Sequence, residues 1–186
     1  MLDTVKSRVN GLDLAALGEV VEAIEKNRKQ AMVGFDVTTR WTGQTRSETT
    51  VDGFTMAGER VTRQHKIVAD EPCELLGADS AANPQELLMA AFNACIMVGY
   101  VAGASIKGIN LDSVEIKTRG ELDLRGFLGL SDEVPAGYES IAYDVRIKGD
   151  GTPEQFEEIH QNVLKTSPNY FNISRPIRVN ATLKVG

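Results

Sequence analysis

The sequence has few of the residues that mark several large classes of protein. Its 186 residues include only two cysteines, Cys73 and Cys95, which are too few for a disulfide framework and favour a reducing compartment. The opening segment MLDTVKSRVNGLDL lacks the basic-then-apolar order of a signal peptide. Lys and Arg number 20 against 26 Asp and Glu, and this acidic balance argues against general nucleic-acid binding. We therefore expect a cytoplasmic protein that does not bind nucleic acid.

The familiar catalytic and metal-binding motifs are also missing. The sequence contains no G-x-S-x-G elbow, Walker loop or G-x-G-x-x-G, so hydrolase, NTPase and dinucleotide-binding functions have no support. The cysteines, His65 and His160 lack the C-x₂-C or H-x₃-H spacing of a zinc site. The sequence therefore predicts neither a metal nor a cofactor.

One long uncharged run stands out, LLMAAFNACIMVGYVAGASI at residues 87–106. Its twenty residues meet the minimum length of a membrane span, but it contains Asn93, Ser105 and several small residues and has no basic flank. Asn83 and Pro84 precede it as a helix cap and first turn. We expect a buried core helix and no membrane span, and a second subunit would help to cover so apolar a helix.

The remaining segments alternate between helical and extended patterns. An amphipathic helix runs from Asp13 to about Gln30, and Thr152–Gln155 resembles a capping box that opens another helix. Asp52-Gly53 is a hairpin signal, and Ala57–Glu59 suggests a second turn. Extended patterns occupy residues 33–68, 113–125, 140–149 and 176–185. The order predicts an α+β fold with a mostly antiparallel sheet, residues 1–32 forming a helical extension and residues 33–186 the main domain.

Cys95 is the candidate for chemistry, and the residues alone leave two interpretations open. Free cysteine behaves as a small hydrophobe, so Cys95 can be a packing residue of the central helix. A reactive thiolate would instead need a cation from elsewhere, and arginine suits this role because it stays charged when desolvated. Candidate arginines lie in the preceding strand region: Arg40, Arg46, Arg60 and Arg63.

Several segments resemble the OsmC/Ohr family of osmotically inducible and organic-hydroperoxide-resistance proteins. They are TTRWTGQTRS, GELDLRGFLGLSDEVPAGYESI, TSPNYFNISRPI and, most specifically, N-P-x-E-L-L-x-A-A-x-x-A-C at residues 83–95. The resemblance implies an intertwined homodimer in which antiparallel sheets wrap long central helices, with sites at the subunit interface. It also implies reduction of organic hydroperoxides by a peroxidatic cysteine, aided by an arginine that stabilises the thiolate and a glutamate that holds the arginine.

Carried onto this sequence, the family pattern makes Cys95 the nucleophile and Arg46 the arginine, with Arg63 as the second candidate. Family members usually carry glutamate directly after the proline, whereas this chain has Gln85 there and Glu86 next. Glu86 is the candidate glutamate of this chain. Positions 85 and 86 point about 100° apart on a helix, so Glu86 replaces that carboxylate only with a rearrangement.

The second departure concerns the family's resolving cysteine, which sits in a C-P pair after the last helix. This chain has Ser167-Pro168 there, and a hydroxyl cannot form a disulfide. Cys73 lies before the central helix, where it can be a loop residue or a substitute thiol. The sequence leaves two functions open: one-cysteine reduction of an organic hydroperoxide with an external thiol reductant, or binding of an apolar small molecule or redox sensing on the same fold.

Overall fold

The computed structural model describes residues 8–186, so the first seven residues of the predicted extension lie outside the described part. The chain divides into two compact units, the first ending at Ala90 and the second spanning Ala91–Gly186. Each unit is considered by itself below.

The first unit opens with a short hairpin and an exposed helix. Strands β1 (Arg8–Val9) and β2 (Leu12–Asp13) pair antiparallel, and helix α1 spans Leu14–Lys26. The predicted cap is confirmed, because Asp13 Oδ1 accepts hydrogen bonds from the backbone N–H groups of Ala15 and Ala16. The helix ends earlier than predicted and a separate 3-10 turn follows at Arg28–Ala31. No residue of α1 is buried.

An antiparallel sheet forms the rest of the first unit. It contains β3 (Val33–Phe35), β4 (Thr38–Gly43), β5 (Arg46–Met56) and β6 (Glu59–Ala69). The central strand is β5, which pairs with β6 along one edge and with β3 and β4 in succession along the other.

The hairpin predicted at Asp52-Gly53 is wrong, because both residues lie inside β5. The pairing register with β6 shifts between Val51 and Gly53, and Gly53 has φ +155°. A Cβ at Gly53 would lie 2.4 Å from the carbonyl oxygen of Val61, so the glycine permits a bulge within the strand. The hairpin turn is the second predicted one, where Ala57 and Gly58 have φ of 54° and 88°.

Helix α2 (Pro84–Ile106) begins with a reciprocal cap. The Asn83 side chain accepts from the Glu86 backbone N–H, and Glu86 Oε2 accepts from the Asn83 N–H, both at 2.8 Å. By length and composition α2 could cross a membrane, as could the core helix of many soluble proteins. Its residues Phe92, Ile96 and Tyr100 are 2% exposed or less, so it provides the core of the second unit.

The second unit packs a two-stranded sheet and helices around that part of α2. Its elements are β7 (Leu111–Gly120), α3 (Leu124–Phe127), β8 (Ile141–Gly149), α4 (Pro153–Thr166) and α5 (Pro168–Ser174). The capping box predicted for α4 is confirmed at Thr152 and Gln155. Every fourth residue of α2 from Phe92 to Ala104 is buried, and these residues pack with Ile159 and Val163 of α4. The inward faces of β7 and β8 cover this core.

Two glycines allow α2 and α4 to approach closely. A Cβ at Gly99 would lie 2.9 Å from Val163 Cγ2, and one at Gly103 would lie 3.0 Å from Ile159 Cγ2. Both neighbouring side chains are β-branched and buried, so they have little freedom to move away. Gly99 and Gly103 therefore set the distance between the two helices.

The strand predicted at residues 176–185 does not form. Among the described residues these ten pair with no other strand, and the helix α5 stands directly before them. The alternating pattern is present, but strand structure also needs a neighbouring backbone to hydrogen-bond with. The side chains of Val179, Leu183 and Val185 are more than four-fifths exposed.

Candidate functional site

Cys95 lies on the second helix, three turns after its start, and is half-buried. Its Sγ atom lies 3.4 Å from Oγ of Ser167, which is only 7% exposed. The serine that occupies the resolving position of the family pattern therefore contacts the candidate nucleophile directly.

The junction of α4 and α5 holds Ser167 in place. Its backbone N–H donates to Val163 O at 2.9 Å, and its Oγ accepts from the Tyr170 backbone N–H at 3.3 Å. With one lone pair of Oγ so occupied, the hydroxyl hydrogen is free to point at Cys95 Sγ. The first turn of α5 also contacts α2, because Asn169 Nδ2 donates a hydrogen bond to Ala91 O at 2.9 Å.

A cavity of about 330 Å³ opens beside Cys95. Apart from Cys95, Thr166 and Ser167, its lining consists of the apolar or small residues Val98, Gly99, Val163 and Pro168. The cavity can therefore hold a small, mainly apolar molecule against the sulfur.

Arg46, the arginine assigned from sequence, is the first residue of β5 in the first unit. Its Nη1 lies 3.0 Å from Glu48 Oε1 and 3.1 Å from Thr42 Oγ1. Hydrogen bonds from Arg46 and then Lys66 lower the pKa of Glu48 below its ordinary value. The alternative, Arg63, places its guanidinium 5.1 Å from the ring centre of Phe54.

Glu86 also has a partner in its own unit, since it closes the cap with Asn83. A carboxylate in this position stabilises the first turn of α2. The assignment of Cys95, Arg46 and Glu86 to one catalytic site stays a prediction. Cys73 is exposed in the 3-10 turn Cys73–Leu75, so its predicted place in the connection before α2 is confirmed, and its role as a substitute thiol stays open.

Sequence reasoning missed a buried and strongly hydrogen-bonded carboxylate, Asp70, which is 1% exposed. Its oxygens accept from the hydroxyls of Thr45 and Ser80, both at 2.7 Å, and from three backbone N–H groups, those of Glu71, Ala78 and Ser80. These bonds lower the pKa of Asp70 far below its ordinary value, the Ser80 hydroxyl contributing most. Asp70 thereby fixes the connection that leads to α2. No spacing motif marks such a cluster, because its members lie up to 35 residues apart.

Asp70→Asn is expected to lower the melting temperature by several degrees, because an amide cannot accept all of these hydrogen bonds. The folded-state pKa lies below the unfolded value, so the stabilisation is complete above about pH 4 and is lost as the pH falls further. Thermal unfolding between pH 3 and 7 measures both effects.

Asp79→Asn is the matched control, since Asp79 is exposed in the same connection. Equal melting temperatures of the two variants across that pH range would show that Asp70 does not organise this segment.

Among residues 8–186 no group of three or more His, Cys, Asp or Glu side chains is arranged to hold a metal ion.

Comparison with known proteins identifies the fold. The family model described as OsmC-like protein matches residues 77–182. An OsmC-like protein of unknown function from Vibrio cholerae matches with a TM-score of 0.58 at 14% identity, covering 75% of this chain and 92% of that one. An OsmC-like protein from Mycoplasma pneumoniae gives a TM-score of 0.57 at 15% identity over 75% and 86% of the two chains.

An OsmC-like hydroperoxide resistance protein from Jannaschia sp. CCS1 matches with a TM-score of 0.45 at 16% identity, covering 83% of this chain and 93% of that one. No curated protein sequence gives a match. The α+β, OsmC-like fold class predicted from sequence is confirmed. Because the family model spans more than half of its length, the chain belongs to the family of OsmC-like proteins.

Proposed function

We propose that this OsmC-like protein reduces organic hydroperoxides through Cys95, using an external thiol as reductant. The observation that carries the proposal is the 3.4 Å contact between Cys95 Sγ and Ser167 Oγ beside an apolar cavity. The contact provides a donor for a thiolate, and the cavity provides space for the organic part of a hydroperoxide.

The reaction begins with attack of the Cys95 thiolate on the terminal oxygen of the hydroperoxide. The O–O bond breaks, Cys95 becomes a sulfenic acid, and the alkoxide takes up a proton and leaves as an alcohol. The Ser167 hydroxyl donates to the sulfur before the attack, and Arg46 stabilises the thiolate and the leaving oxygen.

Regeneration then requires two thiol groups from outside the chain. The first condenses with the sulfenic acid, which releases water and leaves a mixed disulfide on Cys95. The second attacks that disulfide and restores the Cys95 thiol. Ser167 cannot perform the first of these steps, because a hydroxyl forms no disulfide.

The proposal includes a homodimer and a cytoplasmic location. Many large apolar side chains are exposed in the single chain, among them Phe35, Trp41, Val98, Val179 and Leu183. Exposed apolar surface of this extent is typical of a protein that associates with another subunit. A second copy of the chain accounts for it within the family pattern.

Cys95→Ser is expected to abolish thiol-dependent consumption of an organic hydroperoxide, leaving only the uncatalysed rate, because the serine hydroxyl is a far weaker nucleophile. Peroxide consumption with a dithiol reductant measures this. Cys73→Ser is the matched control and is expected to keep the wild-type rate, and Arg46→Ala compared with Arg63→Ala distinguishes the two arginines.

Equal rates for wild type and Cys95→Ser would refute the peroxidase proposal. Inertness of Cys95 toward a sulfenic-acid probe, together with a ligand retained on purification, would favour the binding function instead.

A further inference from the structure

A larger cavity, of about 420 Å³, lies away from Cys95 between β8 and the first turns of α4. Three aromatic side chains line it, those of Tyr100, Tyr143 and Phe156, together with the imidazole of His160. Its charged lining residues are Asp144 and Glu157, and no Lys or Arg lines it. We call it the β8–α4 cavity. The proposed peroxidase reaction makes no use of it.

The aromatic groups of the cavity form one connected cluster. The Tyr100 hydroxyl hydrogen-bonds to His160 Nδ1, and their rings stack with centres 6.0 Å apart. The Tyr143 ring lies 6.4 Å from the His160 ring. Tyr100 is 1% exposed, so this wall of the cavity is held rigidly by the core.

One polar group in this wall has no partner. The Tyr143 hydroxyl is buried and, among residues 8–186, makes no hydrogen bond. An unsatisfied buried hydroxyl is costly, so removing it is not expected to destabilise the fold. Because this oxygen has no accessible surface, a molecule in the cavity meets the ring of Tyr143 and not its hydroxyl.

The charge of the cavity is negative, and Glu157 provides most of it. Asp144 is paired with Arg119, whereas Glu157 is exposed and, within the described part of the chain, accepts a neutral hydrogen bond from Gln161 Nε2 at 2.8 Å and forms no ion pair. Burial raises the pKa of the Tyr100 hydroxyl, and the nearby Tyr143 and Glu157 charges raise it further. The field of the Glu157 carboxylate therefore reaches the aromatic wall.

We infer that the β8–α4 cavity binds a small organic cation of the quaternary or tertiary ammonium class. Aromatic side chains attract such cations through their ring electrons, and a carboxylate at the rim adds to the attraction. An anion would be repelled by Glu157 and finds no cation in the lining.

The test uses choline and its uncharged carbon isostere, 3,3-dimethylbutan-1-ol, on the intact protein. Titration followed by NMR of Tyr100, Tyr143 and His160 is expected to show saturable binding of choline. The isostere is expected to bind about fivefold more weakly or worse, since it lacks the charge. Equal affinities of the two probes, or no shift of these resonances at millimolar choline, would overturn the inference.

Two variants locate the site. Glu157→Gln is expected to weaken choline binding several-fold, whereas Glu158→Gln removes the same charge one residue away, from a side chain that pairs with Lys107, and leaves binding unchanged. If both variants lost the same choline affinity, the loss would follow from the change in net charge of the protein. That result would contradict a site at Glu157.

Tyr143→Phe separates binding from folding. Because it removes an unsatisfied hydroxyl and keeps the aromatic ring, it is expected to keep or raise the melting temperature and to leave choline binding unchanged. A several-fold loss of choline affinity at an unchanged melting temperature would contradict binding through the Tyr143 ring. Peroxidase activity is expected to be the same in all three variants. A failure of choline binding therefore does not bear on the Cys95 proposal, and a failure of peroxidase activity does not bear on the choline site.

Discussion

Ser167→Cys is expected to give a protein in which organic hydroperoxide rapidly closes a disulfide between residues 95 and 167. The Ser167 oxygen already lies 3.4 Å from the Cys95 sulfur, so two sulfur atoms need to approach by roughly 1.4 Å to reach bonding distance. A side-chain rotation can supply a shift of this size. The adjoining cavity can accept the larger sulfur atom.

The new thiol changes the chemistry of the second step. Once Cys95 is a sulfenic acid, the thiol at position 167 attacks it within the same molecule, releases water and leaves the disulfide. An intramolecular step of this kind outcompetes a dilute external thiol, because the reacting groups are already positioned. A dithiol then reduces the disulfide and returns both thiols.

Mass spectrometry after one equivalent of hydroperoxide measures the outcome as loss of two hydrogen atoms, together with loss of both thiols to alkylation. Thr166→Cys is the matched control, since Thr166 lines the same cavity but directs its hydroxyl to Asn162 O at 2.8 Å. Disulfide formation at equal rates in the two variants would contradict a specific pairing of positions 95 and 167. Some loss of stability, about 1 kcal/mol, is expected in Ser167→Cys because the serine caps α5.

Gly103→Val is expected to destabilise the second unit by about 3 kcal/mol, through overpacking at the contact of α2 with α4. The first added carbon already lies 3.0 Å from Ile159 Cγ2, and Ile159 is 2% exposed and surrounded by core side chains. A valine therefore meets Ile159 at its first side-chain carbon, so α4 must move away from α2. The buried contacts of Tyr100 and Val163 loosen as a result.

Gly103→Ala provides the sharper comparison, because alanine favours helix over glycine by about 1 kcal/mol. In the exposed helix α1, a Cβ at Gly18 meets no atom within 4 Å, so Gly18→Ala is expected to be neutral or stabilising. At Gly103 the steric cost exceeds the helical gain, so the same substitution is expected to lower stability. Denaturant unfolding measures both changes, and a stabilising Gly103→Ala would show that α2 and α4 are not in tight contact.

Local patterns in the sequence predicted α1, α2 and α4, whereas the short helices α3 and α5 were not predicted. The caps at Asp13, Asn83 and Thr152 depend on a side chain and the backbone two or three residues later, so they can be read from short segments. Asp52-Gly53 was misread because the same dipeptide serves a tight turn and a bulge. The distinction depends on the backbone of Val61, which comes close only in the folded sheet.

The candidate site likewise has features that the sequence predicts and features that depend on contacts between distant residues. Cys95 and the Ser-Pro pair at 167–168 were found by resemblance, but their contact joins residues 72 positions apart. The buried Asp70 cluster and the unpartnered Tyr143 hydroxyl carry no sequence signal, because both arise from which groups the fold brings together.

By itself the sequence determined the α+β class, the central apolar helix, the caps and the absence of a second thiol at position 167, since these follow from residue identity and short-range spacing. Only the tertiary structure decided that Ser167 contacts Cys95, that Gly99 and Gly103 set the helix separation, and that residues 176–185 pair with no strand of the described residues. The physical reason is that hydrogen bonding and packing between distant residues depend on distances that no local pattern contains.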